Sequence, residues 1–215
     1  MKKTLLKTPA GPVALLLACG ALLFQAGCSI IPAPQTDPTH YYVLTGPSFA
    51  DPGPARLENA LSIGVRRVEV VPYLNGKAMI VRSAANEIAY QDYARWAELP
   101  AAGIERLVMA RLQSSPKVGR VYLQPFPFDV KRDYDVAVSV QRCEGERKAD
   151  GATAACFVCT VEITEAKPGG AVVVRKTFTA PQAAWDGKDF GKLAQLLSAD
   201  VAALGDEIVD TLPAK

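Results

Sequence analysis

The chain has 215 residues, 49% apolar and 21% charged, which suits a buried core and excludes disordered, collagenous and coiled-coil compositions. Its formal charge of +2 misleads: from residue 28 onward, 21 Lys and Arg face 22 Asp and Glu, a net charge of −1. That leaves no cationic surplus for displacing phosphate counterions, so no nucleic-acid partner is expected. The single histidine, His40, excludes a multi-histidine metal site within one chain.

Lys2, Lys3 and Lys7 precede an apolar run from Val13 to Phe24, 12 residues long. A membrane-spanning helix needs about 20 apolar residues. A basic segment, a short apolar segment and small residues in that order predict a secretory signal peptide over residues 1–27. Ala26-Gly27-Cys28 resembles the bacterial lipobox, in which small residues precede a cysteine that is lipidated and becomes the first residue. Gln25 stands where that motif usually has Leu. Cys19, after Leu16-Leu17-Ala18, is a rival site, but it would leave a very short apolar segment and an apolar mature terminus. Cys28 is therefore the expected lipidation site and membrane anchor. Residues 28–39, with Pro32, Pro34 and Pro38 and no hydrophobic periodicity, predict an extended tether.

Residues 40–215 predict one mixed α+β domain: a single mixed sheet with two main amphipathic helices packed on it. His40–Thr45 reads as a strand and 46–53, with two prolines, as a loop. Leu61–Val71 reads as a strand bulged near Arg66-Arg67 and stopped by Pro72. Ala78–Ser83 and Glu87–Tyr90 flank an Ala85-Asn86 turn. Ile104, Leu107, Val108 and Leu112 make one apolar stripe, so a helix is expected over 101–115, ended by Pro116. Val118–Leu123 reads as a strand, followed by a break at Pro125 and Pro127. Val136, Val138 and Val140 share a strand face over 134–143, and Phe157, Cys159, Val161 and Ile163 share one over 155–163. The polar stretch 144–154, with Gly145 and Gly151, reads as the loop between them. After Pro168-Gly169-Gly170 comes a strand over 171–179. A final helix over 188–212 is signalled by Phe190, Leu193, Leu197, Leu204 and Ile208, with Asp186–Asp189 as its cap.

Catalytic and cofactor signals do not accumulate. A Ser-His-Asp grouping cannot be assembled around one histidine at the domain edge. No Walker-type phosphate loop is present, and no cofactor or metal is expected. Cys156-x-x-Cys159 lies in a strand pattern, which sends its two side chains to opposite faces, unlike a redox pair at a helix start. In a symmetric hairpin centred on the 144–154 loop, Cys143 and Cys156 fall opposite each other, within reach of a disulfide, and Cys159 remains a core residue. A shifted register would instead leave all three as buried apolar residues.

Four stretches carry a resemblance: Val70-Val71-Pro72-Tyr73-Leu74, Ile80-Val81-Arg82, Asn86-Glu87-Ile88 and Tyr93-Ala94-Arg95-Trp96-Ala97-Glu98-Leu99. With the early Tyr41–Leu44 strand and the helix that follows Leu99, they resemble the ABC-type transport auxiliary lipoprotein family of PqiC-like outer-membrane proteins. The resemblance implies a non-enzymatic docking subunit, lipid-anchored on the periplasmic face of the outer membrane. Its implied partners are an MCE-domain protein and an ABC transporter that move lipids across a Gram-negative envelope. It also implies homo-oligomers, for which Tyr73 and Leu74, after a strand-ending proline, are interface candidates, a turn packed on the core being the other reading of this pair. Trp96 is either an interface anchor or a core residue. A direct lipid-binding protein with an apolar groove and an envelope enzyme with converging ionisable groups are the alternatives.

Overall fold

The computed structural model describes residues 36–46 and 55–213. The signal peptide, Cys19, Cys28 and most of both the tether and the 46–53 loop lie outside the described residues.

Among the described residues, one ten-stranded mixed sheet carries two long helices, the expected α+β arrangement. The strands are β1 (His40–Tyr42), β2 (Leu61–Val65), β3 (Glu69–Val70), β4 (Ala78–Ala84), β5 (Glu87–Trp96), β6 (Val118–Leu123), β7 (Tyr134–Arg147), β8 (Thr153–Glu165), β9 (Val172–Thr179) and β10 (Ala183–Ala184). The helices are α1 (Pro100–Ser114) and α2 (Phe190–Thr211). A 3₁₀ turn, Pro72–Leu74, follows β3.

β7 is the spine. Along one side it pairs antiparallel with β8 from Tyr134↔Glu165 to Arg147↔Thr153. Along the other it receives three short parallel strands in succession: β2, β3 and β4. β2 continues to β6, β4 to β5 and then β1, and β8 to β9 and β10.

Both helices cover the same face. The inward residues Val136, Val138, Val140, Phe157, Cys159, Val161 and Ile163 are at most 2% exposed. Against them lie Leu193, Leu197, Val201, Leu204 and Ile208 of α2 and Ile104, Val108 and Leu112 of α1, all in one core cluster. Pro100 opens α1 at a position where its missing N–H costs nothing. Asp189 caps α2, its carboxylate accepting the Lys192 N–H at 3.0 Å, while Asp186 accepts from the Lys188 and Asp189 amides. A Cβ at Gly205 would sit 2.6 Å from Arg111 Cγ, so a glycine is what lets α1 cross α2 this closely. Arg111 then reaches Asp206 in an ion pair across the crossing.

The 144–154 loop is the main departure in the fold. β7 and β8 run on through most of it, leaving 148–152 as the turn. Its first charges are strand residues: Glu144 and Glu146, like Arg142 before them, alternate with Cys143 and Gly145, and only the charged set turns away from the helices. The Leu61–Val71 strand is likewise broken at Arg66–Val68 into β2 and β3.

The register also corrects the Cys143–Cys156 pairing. Between Val140↔Cys159 and Arg142↔Val158 the ladder shifts, because Gln141 is an extra residue on β7. Cys143 then stands opposite Phe157, and Cys156 opposite Glu144. Directly opposed residues share a face, so Cys143 joins the helix side and Cys156 the other. All three thiols are free and buried.

Candidate interaction face

The face away from the helices is where polar chemistry gathers, and the bulge at Gln141 organises it. An extra residue reverses the side-chain phase, which places Arg142, Glu144 and Glu146 together on this outer face. The bulge also frees the Gln141 carbonyl, which accepts the Tyr73 hydroxyl at 2.9 Å.

At the centre is a buried ion cluster. The Glu144 side chain has no exposed surface. Its Oε1 accepts from Arg82 Nε at 2.6 Å and from Arg142 Nε at 2.9 Å. Arg142 Nη2 lies 3.1 Å from Glu146 Oε1. Arg82 Nη2 donates to the Tyr73 hydroxyl at 3.1 Å, with its guanidinium carbon 5.6 Å from the Tyr73 ring centre. Burial, and then the Glu144 charge, push the Tyr73 phenol above its ordinary range. The hydrogen bond to Glu144 holds Arg82 even more firmly in its charged form. Two guanidiniums on one carboxylate leave a net positive centre that Glu146 offsets. This arrangement fixes β4 to β7 through charge.

Beside the cluster lies an open groove of about 890 Å³. Its floor is Ala137, Ser139 and Thr160, and Arg66, Arg175 and Glu162 stand around it. Arg175 Nε donates to Glu162 at 2.8 Å, and Arg66 Nη2 to Thr164 Oγ1 at 3.4 Å. Arg132 is bonded to one lining residue, Asp135, at 2.8 Å and stacked 3.9 Å from the ring centre of another, Phe126. The small side chains of Ala137, Ser139 and Thr160 thus lie among guanidiniums and carboxylates.

The cysteines are chemically quiet. Burial pushes the Cys159 thiol up to about 12 and drives those of Cys143 and Cys156 upward as well. Thiols held this way are poor nucleophiles and poor metal ligands. Among the described residues, no group of three or more His, Cys, Asp or Glu could hold a metal ion, and no helix is long and apolar enough to cross a membrane.

The interface candidates separate. Leu74 and Trp96 are 2% and 3% exposed, so neither offers a surface to a partner; both are core residues of the fold. Tyr73 is half-buried and committed at its hydroxyl to Gln141 and Arg82. Trp185 is also a core residue, stacked edge-on to Phe190 at 5.3 Å and donating its indole N–H to the Asp189 carbonyl at 2.6 Å. The groove was missed in the sequence, although one signal for it existed: Ala137, Ser139 and Gln141 interleave with the apolar Val136, Val138 and Val140.

No curated protein sequence matches the chain. Protein XCC0632 from Xanthomonas campestris superposes with a TM-score of 0.67 at 20% identity, over 80% of this chain and 93% of that one. A second crystal structure superposes at 0.58 with 17% identity, over 80% and 97%. These likenesses establish the fold. A PelC dodecamer from Paraburkholderia phytofirmans superposes at only 0.43, with 17% identity over 76% and 96%, too distant for its assembly to bear on this chain. The model of one family, described as the ABC-type transport auxiliary lipoprotein component, matches residues 42–209, from β1 to the last turn of α2, and the chain belongs to that family.

Proposed function

We propose that the protein is a lipid-anchored docking subunit of an ABC-type lipid transport system. The family match along nearly the whole folded domain carries this reading. In it, Cys28 bears the lipid and holds the domain on the periplasmic face of the outer membrane. Three acyl chains, at about 0.8 kcal/mol per buried methylene, anchor far more firmly than the single chain that binds only marginally. The partners are an MCE-domain protein and, through it, the transporter, and the subunit self-associates. The polar groove favours a protein partner over direct lipid carriage, because its charged walls would have to be desolvated against an acyl chain without compensation.

The test is affinity capture of the full chain from cross-linked envelopes, with Arg66→Glu and Arg175→Glu as groove variants. An MCE-domain protein recovered with the parent chain and reduced at least tenfold with the double variant supports the reading. Equal recovery with both, or none with either, refutes it. Palmitate labelling that survives Cys28→Ala would refute the anchor separately.

A further inference from the structure

The outer face carries a second feature at its far edge. β1 pairs parallel with β5, with Tyr41 beside Arg95 and Tyr42 beside Trp96. Partners in a ladder share a face, and residues two apart on a strand share it too. The ribbon is therefore split. Ala94 and Trp96 are buried at 5% and 3% with Tyr42 packed on the core, while Tyr41 is 63% exposed and Tyr93 60%. Val43, two residues beyond Tyr41, is 45% exposed. Arg95 pairs with Ala78 of β4, and Ile80, on the same side of β4, pairs with Tyr90, so Tyr90 belongs to this face despite the β5 irregularity between them. It is 53% exposed. Arg95 Nε donates to the Asp92 carbonyl, which directs a guanidinium into the same patch. Three exposed tyrosines and an arginine on one ribbon form a concentrated amphipathic surface; other exposed apolar side chains lie elsewhere, Leu57 and Phe128 outside any helix or strand and Val172 on β9.

We propose that this face of the β1–β5 ribbon rests on the headgroup layer of the membrane. The inference depends on Cys28 as the lipid attachment site. Cys28 lies 12 residues before His40, the first residue of β1. Twelve residues span at most about 40 Å, and the chain enters the fold on this very ribbon. The anchor therefore holds this surface at high effective concentration against the bilayer. Tyr41 and Tyr93 fit that depth, with rings in the acyl boundary and hydroxyls among headgroups, while the Tyr90 hydroxyl donates to the Tyr73 carbonyl at 3.3 Å and offers its ring alone. Arg95 supplies a planar donor set for lipid phosphate.

The experiment uses the full, lipidated chain in phosphatidylethanolamine–phosphatidylglycerol vesicles containing a phospholipid with a diazirine just below its headgroup. After photolysis and flotation, labelled peptides are mapped by mass spectrometry. Label on residues 41–43 and 90–95 is expected, reduced at least threefold in Tyr41→Ser with Tyr93→Ser, which still floats. Label confined to 28–39, or spread equally onto the helices, overturns the proposal while leaving the anchor intact. A chain that does not float overturns the anchor and this inference with it. Unlabelled tyrosines in vesicles that are nonetheless shielded from nitration in native envelopes assign the face to a protein partner, and also overturn it.

Discussion

Replacing Asp200 by asparagine should reverse part of the protein's pH dependence. Asp200 lies on the buried stripe of α2, three residues after Leu197 and four before Leu204, and is 7% exposed. Its Oδ2 is buried without a hydrogen-bond partner among the described residues. Burial alone raises its pKa from 3.8 to about 6. The thiols of Cys143 and Cys156 feel its charge, but both stay neutral in this range and offer no compensation. A carboxyl that binds its proton more tightly when folded favours the folded state at low pH. Stability from this site is thus full below about pH 4, falls as pH rises through the window to about 6, and is flat above it. At 1.36 kcal/mol per unit, the shift sets a ceiling of about 3 kcal/mol on the loss. Urea unfolding of both proteins from pH 4 to 8 measures it. The other carboxylates titrate alike in parent and variant and cancel in the difference. The Asp200→Asn variant should gain on the parent by about 1–3 kcal/mol between pH 4 and pH 8. A difference that stays flat across this range would refute the placement of Asp200 as a buried, uncompensated acid.

Glu144→Ala removes the carboxylate shared by Arg82 and Arg142 and leaves both cations facing each other on the outer face. Breaking a buried pair in this way costs about 3–5 kcal/mol, and a Tm lowered by roughly 10 °C or more in calorimetry is the expected result. Gly145→Ala places a Cβ 2.7 Å from Trp185 Cζ3 and 3.3 Å from Leu193 Cδ2. Overpacking there should cost about 1–3 kcal/mol and shift the tryptophan emission; an unchanged spectrum and stability would remove the close contact. Protein purified from an oxidising envelope should give three alkylatable thiols at Cys143, Cys156 and Cys159 after denaturation without reductant, and react sluggishly with thiol reagents while folded. A Cys143–Cys156 bridge in the peptide map would mean a different β7–β8 register.

Where the sequence carried its own punctuation, the reading held. β6 lies between Pro116 and Pro125, and its expected bounds, 118–123, are those observed. Both helices fall within two residues of their expected ends, except that Pro100 joins α1 as its first residue. The errors concentrate where a strand turns charges outward. Glu144, Glu146 and Arg147 look like a loop by composition, yet Glu144 and Glu146 continue the alternation of Arg142 with Cys143 and Gly145, which has the period of a strand. Polar residues are tolerated there because α1 and α2 both pack on the other face. The cysteine pairing failed for a different reason. One bulged residue, Gln141, reverses the phase of everything after it, and nothing local in Val140-Gln141-Arg142 announces it. Of the two readings open for Leu74 and Trp96, core packing is the one observed, through partners distant along the chain.

The two faces of the sheet divide the protein's work. On the helix side the packing is apolar but for the buried Ser198 and Asp200 of α2, and Gly145 and Gly205 show how little room it leaves. A substitution there acts through stability. On the outer side the cluster around Glu144 is rigid because one buried carboxylate holds strands β4 and β7 together. That rigidity fixes the distance between what flanks it, the Arg66–Arg175 groove and the Tyr41–Tyr93 ribbon. In the proposed assembly the ribbon meets lipid and the groove meets protein, so the cluster would set how a partner stands relative to the bilayer. Substitutions at the groove or the ribbon should accordingly change association while leaving the unfolding midpoint within about 0.5 kcal/mol of the parent, as surface changes do. Glu144→Gln should do the opposite first. It keeps the side chain's shape but withdraws the charge from two guanidiniums, so stability falls before binding does. If Glu144→Gln weakened partner capture at temperatures where the fold is intact, the cluster would be part of the recognition surface rather than its support.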